Sequence, residues 1–423
     1  MEFHSLRMML QKHIVTIFAE RDRMLTRPHV LCQWMLTNNL LLLSAPLQVV
    51  DSARVKGTRS RCRMIRLVAQ AFKRWAAPAN MAAAPWPPAW WTATPDAVRD
   101  RMEGGLWGAW MGDAAGAVLE FLPHVPTEVE VARALSFPGG GVWNVAPGQI
   151  TDDGELTLCL WAAVRDAPDG ATPETLADRA SQLYRRWYAS NPFDIGAATT
   201  NAVSASGDNA AAMRAHAAQH NQGSQSNGAL MRCTPLAVVA ARFGWPDEVA
   251  AAAARADASL THPDATVQAA VAAYVVPAAE LIRSGDAAAA QARAEAWITR
   301  DAGAAAPTLR AWLEEAKSDA PVAATDKQGW IKHAWVLAFR ALHRGLGWED
   351  AVRQTLLLGG DTDTNACIVG GLVGARVGAS GLPEASLARV RTVPAEPPRA
   401  APRRPLWLHP STWLSPEAIP FEE

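Results

Sequence analysis

The chain has 423 residues, 49% of them hydrophobic and 19% charged, enough to bury a large core in one large or two ordinary domains. A formal net charge of -1 argues against a globally basic partner surface for nucleic acid or membrane. The five cysteines, Cys32, Cys62, Cys159, Cys233 and Cys367, form an odd and scattered set without a CxxC pair. They argue against a disulfide framework and a thiolate metal site, and fit buried core residues in a reducing, cytoplasmic setting.

Charge divides the chain unevenly. Residues 1–80 carry 13 Lys/Arg against 4 Asp/Glu, whereas residues 81–423 carry 27 against 37. The first stretch also lacks the alanine-rich texture of the rest. It reads as a disordered tail, or as sequence upstream of a start at Met81, ahead of a functional basic region. Its apolar run from Leu40 to Val50 holds Ser44 and Pro46. No run in the chain reaches the roughly 18–20 uninterrupted apolar residues of a membrane helix, so a soluble protein without a membrane partner is expected. Residues 81–94 read as a Pro/Trp-rich linker, and 95–380 as the main domain.

From Thr94 onward the signals are helical. Thr94-Pro95-Asp96 predicts a helix start, with a capping hydroxyl, proline in the first turn and an acid near the positive end of the dipole. The stretch Gly104 to Glu120 predicts a helix with glycine on several faces. Each interior glycine costs roughly 1 kcal/mol relative to alanine, so this many require a packing or ligand reason. Asp113 and Glu120 are seven apart and are expected on one helical face. Helices are predicted at 155–166, 174–188, 228–242, 247–258, 264–283, 287–300, 330–345 and 349–357 from length and apolar spacing near 3.6. After about residue 380 the chain becomes Pro-rich and reads as an irregular tail over the surface. The fold class is all-α.

Two acidic clusters carry the chemistry. Thr151-Asp152-Asp153 precedes the apolar helix Leu156–Val164, and Gly359-Gly360-Asp361-Thr362-Asp363-Thr364-Asn365 precedes a helix bearing Gly370, Gly371 and Gly374. One acid at a helix start is a cap. Adjacent carboxylates repel unless a cation offsets them, and hard oxygen donors suit Mg²⁺, Mn²⁺ or Ca²⁺ rather than Zn²⁺. Two such clusters about 200 residues apart can converge on a two-metal centre. The loop Ser224 to Gly228 runs into a predicted helix and offers free N–H groups to a phosphate. His262 stands just ahead of another helix start. His216 and His220, four apart, read as surface residues.

In this order the motifs resemble the ADP-ribosylglycohydrolase family, which includes the dinitrogen-reductase-activating glycohydrolases. The resemblance runs from about Met102 to Gly378. It rests on Gly112-Asp113-Ala114-Ala115-Gly116 with Glu120, Thr151-Asp152-Asp153, Asn191-Pro192-Phe193-Asp194-Ile195-Gly196, Ser226-Asn227-Gly228-Ala229-Leu230-Met231-Arg232, Leu260-Thr261-His262-Pro263 and Gly359 to Thr364. It implies a compact multi-helix bundle with a central cleft, two Mg²⁺ or Mn²⁺ ions, and removal of ADP-ribose from protein side chains, arginine above all. By motif, Thr151, Asp152, Asp153, Asp361, Asp363 and Thr364 would hold the metals. Glu120 and Asp194 would serve as acid and base, in an order left open. Asp113, Gly196, Ser226, Asn227, Gly228, Met231 and His262 would contact the substrate. The implied partners are an ADP-ribosylated protein and ADP-ribose, with no nucleic acid. Gly154 stands where the family usually has a second threonine. It keeps open a catalytically weak ADP-ribose-binding or toxin-neutralising module, beside a hydrolase of a small ADP-ribosyl compound.

Overall fold

The computed structural model describes residues 87–165, 167–168, 170–392 and 400–414. The basic segment 1–80, residues 81–86 of the linker, and Cys32 and Cys62 lie outside the described residues.

The described chain is all-α. It begins with α1 (Ala89–Ala93), α2 (Asp96–Gly116), α3 (Glu128–Ala134) and α4 (Asp152–Arg165). Then come α5 (Pro173–Ala189), α6 (Ala197–Val203), α7 (Ala210–His220), α8 (Thr234–Arg242) and α9 (Asp247–Ala258). The next are α10 (Ala265–Ser284), α11 (Ala287–Asp301), α12 (Ala306–Lys317) and α13 (Ile331–His343). The last are α14 (Trp348–Leu356), α15 (Thr362–Val377), α16 (Glu384–Arg391) and α17 (Ser411–Leu414). Strand pairing among the described residues is confined to two isolated bridges, Gly140 with Val145 and Ser226 with Trp330.

The pair α2 and α15 explains the glycines. A Cβ on Gly108 would sit 2.3 Å from the Gly370 carbonyl oxygen, and one on Gly370 would sit 2.3 Å from that of Gly108. Gly104 meets Gly374, Gly112 meets Ala366, and Gly116 meets Asp363 in the same way. Contacts that fall in sequence on one helix and rise on the other mean an antiparallel pair. Its backbones touch along a four-residue repeat, and the close packing offsets the helix-propensity cost of glycine. The consequence is functional: the C-terminal end of α2, with Asp113, is set against the N-terminal end of α15, with Asp363.

Around this pair the core is built from alanine and tryptophan. Trp107, Trp110, Trp161, Trp187, Trp297, Trp335 and Trp348 are among the largest fully buried side chains. The indole of Trp348 donates to the Gly108 carbonyl at 3.2 Å. Helix α10 is long and apolar enough by composition to cross a membrane. Here it is a core helix, and its Tyr274 hydroxyl donates to the Ile368 carbonyl of α15 at 2.7 Å. Cys159, Cys233 and Cys367 are buried and free of disulfides.

Four local expectations differ from the structure. Thr94 does not cap α2; its hydroxyl turns back to the Trp90 carbonyl at 2.9 Å, because the short α1 precedes it, and Pro95 holds the cap position. Helix α2 ends at Gly116, so Glu120 lies in the following turn and shares no helical face with Asp113. The 228–242 stretch divides into a 3₁₀ turn at Asn227–Ala229 and α8, since Pro235 favours a helix start beside it. Among the described residues the C-terminal region is not wholly irregular: 384–391 is helical, and Trp407 and Trp413 are buried.

Candidate active site

The first acidic cluster is organised by a residue from another helix. Asp113 is fully buried. Its carboxylate accepts the Thr151 N–H at 3.0 Å, the Thr151 hydroxyl at 2.9 Å and the Gly154 N–H at 2.8 Å. It therefore satisfies N–H groups at the start of α4 that no intrahelical carbonyl reaches. This also accounts for Gly154. A Cβ there would sit 2.6 Å from the Asp113 Oδ2 and 2.8 Å from the Ile150 Cβ. Glycine lets Asp113 close over the helix start, so the departure from the family pattern is a fitted contact.

The second cluster meets the first at Asp153. The hydroxyls of Thr151 and Thr364 each donate to Asp153 Oδ2 at 3.3 Å. The Thr364 N–H donates to Asp363 Oδ1 at 2.9 Å, and the Thr362 hydroxyl ties the start of α15 to the Gly116 carbonyl at 2.9 Å. Asp153 Oδ1 is buried without a hydrogen-bond partner. Carboxylate oxygens of Asp113, Asp153 and Asp363 lie within 4.8 Å of one another, as do those of Glu120, Asp361 and Asp363. Asp363 belongs to both groups.

Burial and mutual repulsion raise these acids. Burial, with the charges of Asp194, Asp113 and Glu120, lifts Asp152 well above the ordinary range. Burial also lifts Asp153 and Asp363 well above it, joined by the neighbouring carboxylates. Asp113 is pushed up to about 7, chiefly by burial. Glu120 reaches about 8 through burial and the Asp194 charge, and Asp194 about 6 through burial and the Asp361 charge. Among the described residues no basic side chain forms an ion pair with Asp113, Asp152, Asp153 or Asp363. A buried, repelling set of hard oxygens with one orphaned lone-pair donor fits a hard divalent cation.

Loops bring the remaining groups to this cluster. Glu120 accepts the Trp143 indole N–H at 2.8 Å, and Trp143 packs edge-on against Phe121 and Phe193. Phe193 immediately precedes Asp194. The Asn227 side-chain amide donates to Asp361 Oδ2 at 2.7 Å, and its backbone N–H to the Gly329 carbonyl at 2.9 Å. Gly196 is exposed with open space about its Cα, and Met231 is buried in the core.

His262 belongs to a polar chain rooted in a buried ion pair. Arg232 donates to Asp257 at 3.0 Å and to the Thr261 hydroxyl at 3.0 Å. Thr261 bonds His262 Nδ1 at 2.8 Å, and His262 Nε2 bonds the Ser226 hydroxyl at 2.7 Å. Burial, reinforced by the Arg232 charge, lowers His262 to about 3, so its ring is neutral. The neutral ring donates through one nitrogen and accepts through the other, so Thr261 and Ser226 between them hold its orientation.

The structure thus gathers Asp113, Asp153, Asp361, Asp363 and Glu120 closely, with Thr151 and Thr364 bonded to Asp153. Sequence reasoning assigned no role to Trp143, to Gly329, or to Asp257 as the counter-ion of Arg232. The glycine run Gly139 to Gly141 before Trp143 was the available signal. His216 and His220 stack on each other, half-buried and exposed, away from these contacts.

A model of the ADP-ribosylglycohydrolase family matches residues 94–408. A protein of Acanthamoeba polyphaga mimivirus assigned as an ADP-ribosyl glycohydrolase is 25% identical over 291 residues, spanning 65% of this chain and 86% of its own length. The ADP-ribosyl-[dinitrogen reductase] glycohydrolase of Rhodospirillum rubrum is 31% identical over 156 residues, which is 37% of this chain and 49% of that protein. The ADP-ribosylarginine hydrolase Tri1 of Pseudomonas putida is 37% identical over 119 residues, 26% of this chain and 29% of its own. A solved ADP-ribosylglycohydrolase-related protein complex superposes with a TM-score of 0.55 at 30% identity, covering 70% of this chain and 93% of that one. With the family model spanning most of the chain and the acidic helix starts converging in one place, this protein belongs to the ADP-ribosylglycohydrolase family of hydrolases acting on glycosyl bonds.

Proposed function

We propose that the chain hydrolyses the bond between ADP-ribose and a modified protein side chain, arginine first, and does so with two divalent ions, Mg²⁺ or Mn²⁺. The observation that carries this reading is the pair of acidic groups sharing Asp363, one buried and one half-buried, with no basic partner for Asp113, Asp153 or Asp363 among the described residues. Asp113, Asp153 and Asp363 would hold one ion and Asp361, with Asp363, the other, leaving Glu120 beside them for proton transfer. Thr151 and Thr364 orient Asp153, and Asp152 adds charge beside them. When bound, such ions would supply hard Lewis acids able to hold the ribose hydroxyls in place.

The side chains supply the rest. Cleavage of a ribosyl C–N or C–O bond passes through an oxocarbenium-like state, in which a proton must reach the leaving group and a water must be aimed at C1. Glu120, whose direction Trp143 fixes, is one carboxyl placed to carry a proton. Asp194, raised to about 6, stands on a separate loop and gives the second carboxyl such chemistry needs. Ser226 presents a hydroxyl, and with Asn227 and Gly228 forms the side suited to the diphosphate. His262, neutral and anchored, holds Ser226 in that role. Arginine as the attachment residue draws support from the relative named for ADP-ribosylarginine.

The test is release of free ADP-ribose from arginine-, serine- and nucleic-acid-linked substrates, and from small ADP-ribosyl conjugates, with Mg²⁺, Mn²⁺ or chelator. Metal-dependent release from the arginine linkage is expected. No turnover on any linkage by protein shown to bind metal would overturn the reading.

A further inference from the structure

The residues after α16 reach the active site from behind. Arg404 is almost wholly buried, with 8% of its side chain exposed, opposite Glu155 at 1%. Its Nε and Nη2 donate to the two Glu155 oxygens at 2.7 and 2.8 Å. Its Nη2 also donates to the Ser190 hydroxyl at 2.8 Å, and its Nη1 to the carbonyls of Ser190 and Asn191 at 2.9 and 3.1 Å. A guanidinium has five N–H donors in a rigid fork, and here all five are engaged.

The partners decide what this contact does. Glu155 lies in the first turn of α4, two residues after Asp153, and also accepts the Trp187 indole N–H at 2.6 Å. Ser190 and Asn191 end α5 and begin the loop that reaches Asp194 three residues later. Asn191 has a φ of 57°, a left-handed turn that aims the chain toward Pro192 and Asp194. One planar group therefore joins the helix start bearing Asp152 and Asp153 to the loop bearing Asp194. Nearby, the Pro402 carbonyl accepts from Gln149 at 2.9 Å, just ahead of Thr151.

We infer that Arg404 is a positioning residue for the hydrolytic reaction, setting the Asp194 loop against the Asp152–Asp153 helix start. The inference rests on the function proposed above. A bidentate clamp between two elements fixes their separation and their angle together, which a lysine ammonium cannot do. Misplacing a reacting group by a fraction of its length lowers turnover far more than ground-state binding.

The test compares three variants of the full chain. Arg404→Ala removes the clamp. Arg404→Lys keeps a cation for Glu155 but cannot hold both sides, which guards against a variant that fails to fold. Arg186→Ala removes a cation–π contact to Trp407, 4.6 Å away, loosening the same segment without touching Glu155 or the Asp194 loop. We expect kcat to fall about tenfold to a hundredfold in both Arg404 variants, with KM for the ADP-ribosylated substrate within about threefold of wild type. In Arg186→Ala, kcat stays near wild type although its Tm falls. Hydrogen exchange at 150–160 and 188–196 should quicken in the Arg404 variants alone, and millimolar ethylguanidinium should restore turnover to Arg404→Ala. Unchanged kcat in folded Arg404→Lys, or equal losses of kcat in Arg186→Ala, would overturn the inference. An inactive wild type would sink the functional reading instead, while the exchange comparison would still decide whether Arg404 holds the two segments.

Discussion

Two buried carboxylate systems in this fold are built on opposite terms. Asp257 is 1% exposed and faces Arg232, which is 0% exposed. The Tyr184 hydroxyl donates to its other oxygen at 2.8 Å, and the guanidinium lies 4.7 Å from the Tyr184 ring. Each polar group there is answered by the protein. The cluster of Asp113, Asp152, Asp153 and Asp363 is equally buried, yet only hydroxyls and N–H groups answer it, and Asp153 Oδ1 has no partner. Burying an uncompensated charge is costly. The first system is complete as a structural anchor, and it steers Ser226 through Thr261 and His262. The second has no such counter-charge among the described residues, which is the arrangement a cation from solution would complete. That difference separates a structural acid from a candidate ligand more clearly than burial does.

The comparison can be broken in three places. The largest effect is expected from Asp363→Asn, which weakens both acidic groups at once. Release of ADP-ribose should fall about a hundredfold or more, as when one preorganised electrostatic contact is lost. The rise in Tm on adding Mn²⁺ should vanish with it. Retained metal stabilisation would show that Asp363 is not shared. Next comes Asp257→Asn, which leaves Arg232 buried without its counter-charge. Urea unfolding should show a loss of about 3–5 kcal/mol, while any folded protein keeps its Mn²⁺-dependent gain in Tm. A loss confined to activity would place Asp257 in the reaction instead. The smallest effect has the opposite sign. In chelator, Asp153→Asn replaces a carboxyl whose ionisation burial and its neighbours oppose with an amide that donates to those neighbours. It should stabilise the metal-free protein by about 1 kcal/mol. Destabilisation there would mean that the protein compensates Asp153 after all.

The sequence by itself determined the helical class, because alanine-rich stretches with a 3.6 period bury a continuous face only as helices. It also singled out two acidic clusters, since adjacent carboxylates ahead of apolar helices exceed what a cap requires. The glycines between 104 and 116 announced a close approach but not its partner. Only the tertiary structure decided that Gly108 meets Gly370, because backbone contact between helices depends on their direction and register. The same packing placed Asp113 over the start of α4, in close contact with Gly154. It also moved Glu120 off the helix of Asp113 and into the turn that Trp143 holds. The reach of Arg404 to Glu155 and the Asp194 loop had no sequence signal, being a contact across 249 positions from a Pro-rich stretch without periodicity. Local chemistry is written along the chain; compensation of buried charge is settled by whatever the fold brings next to it.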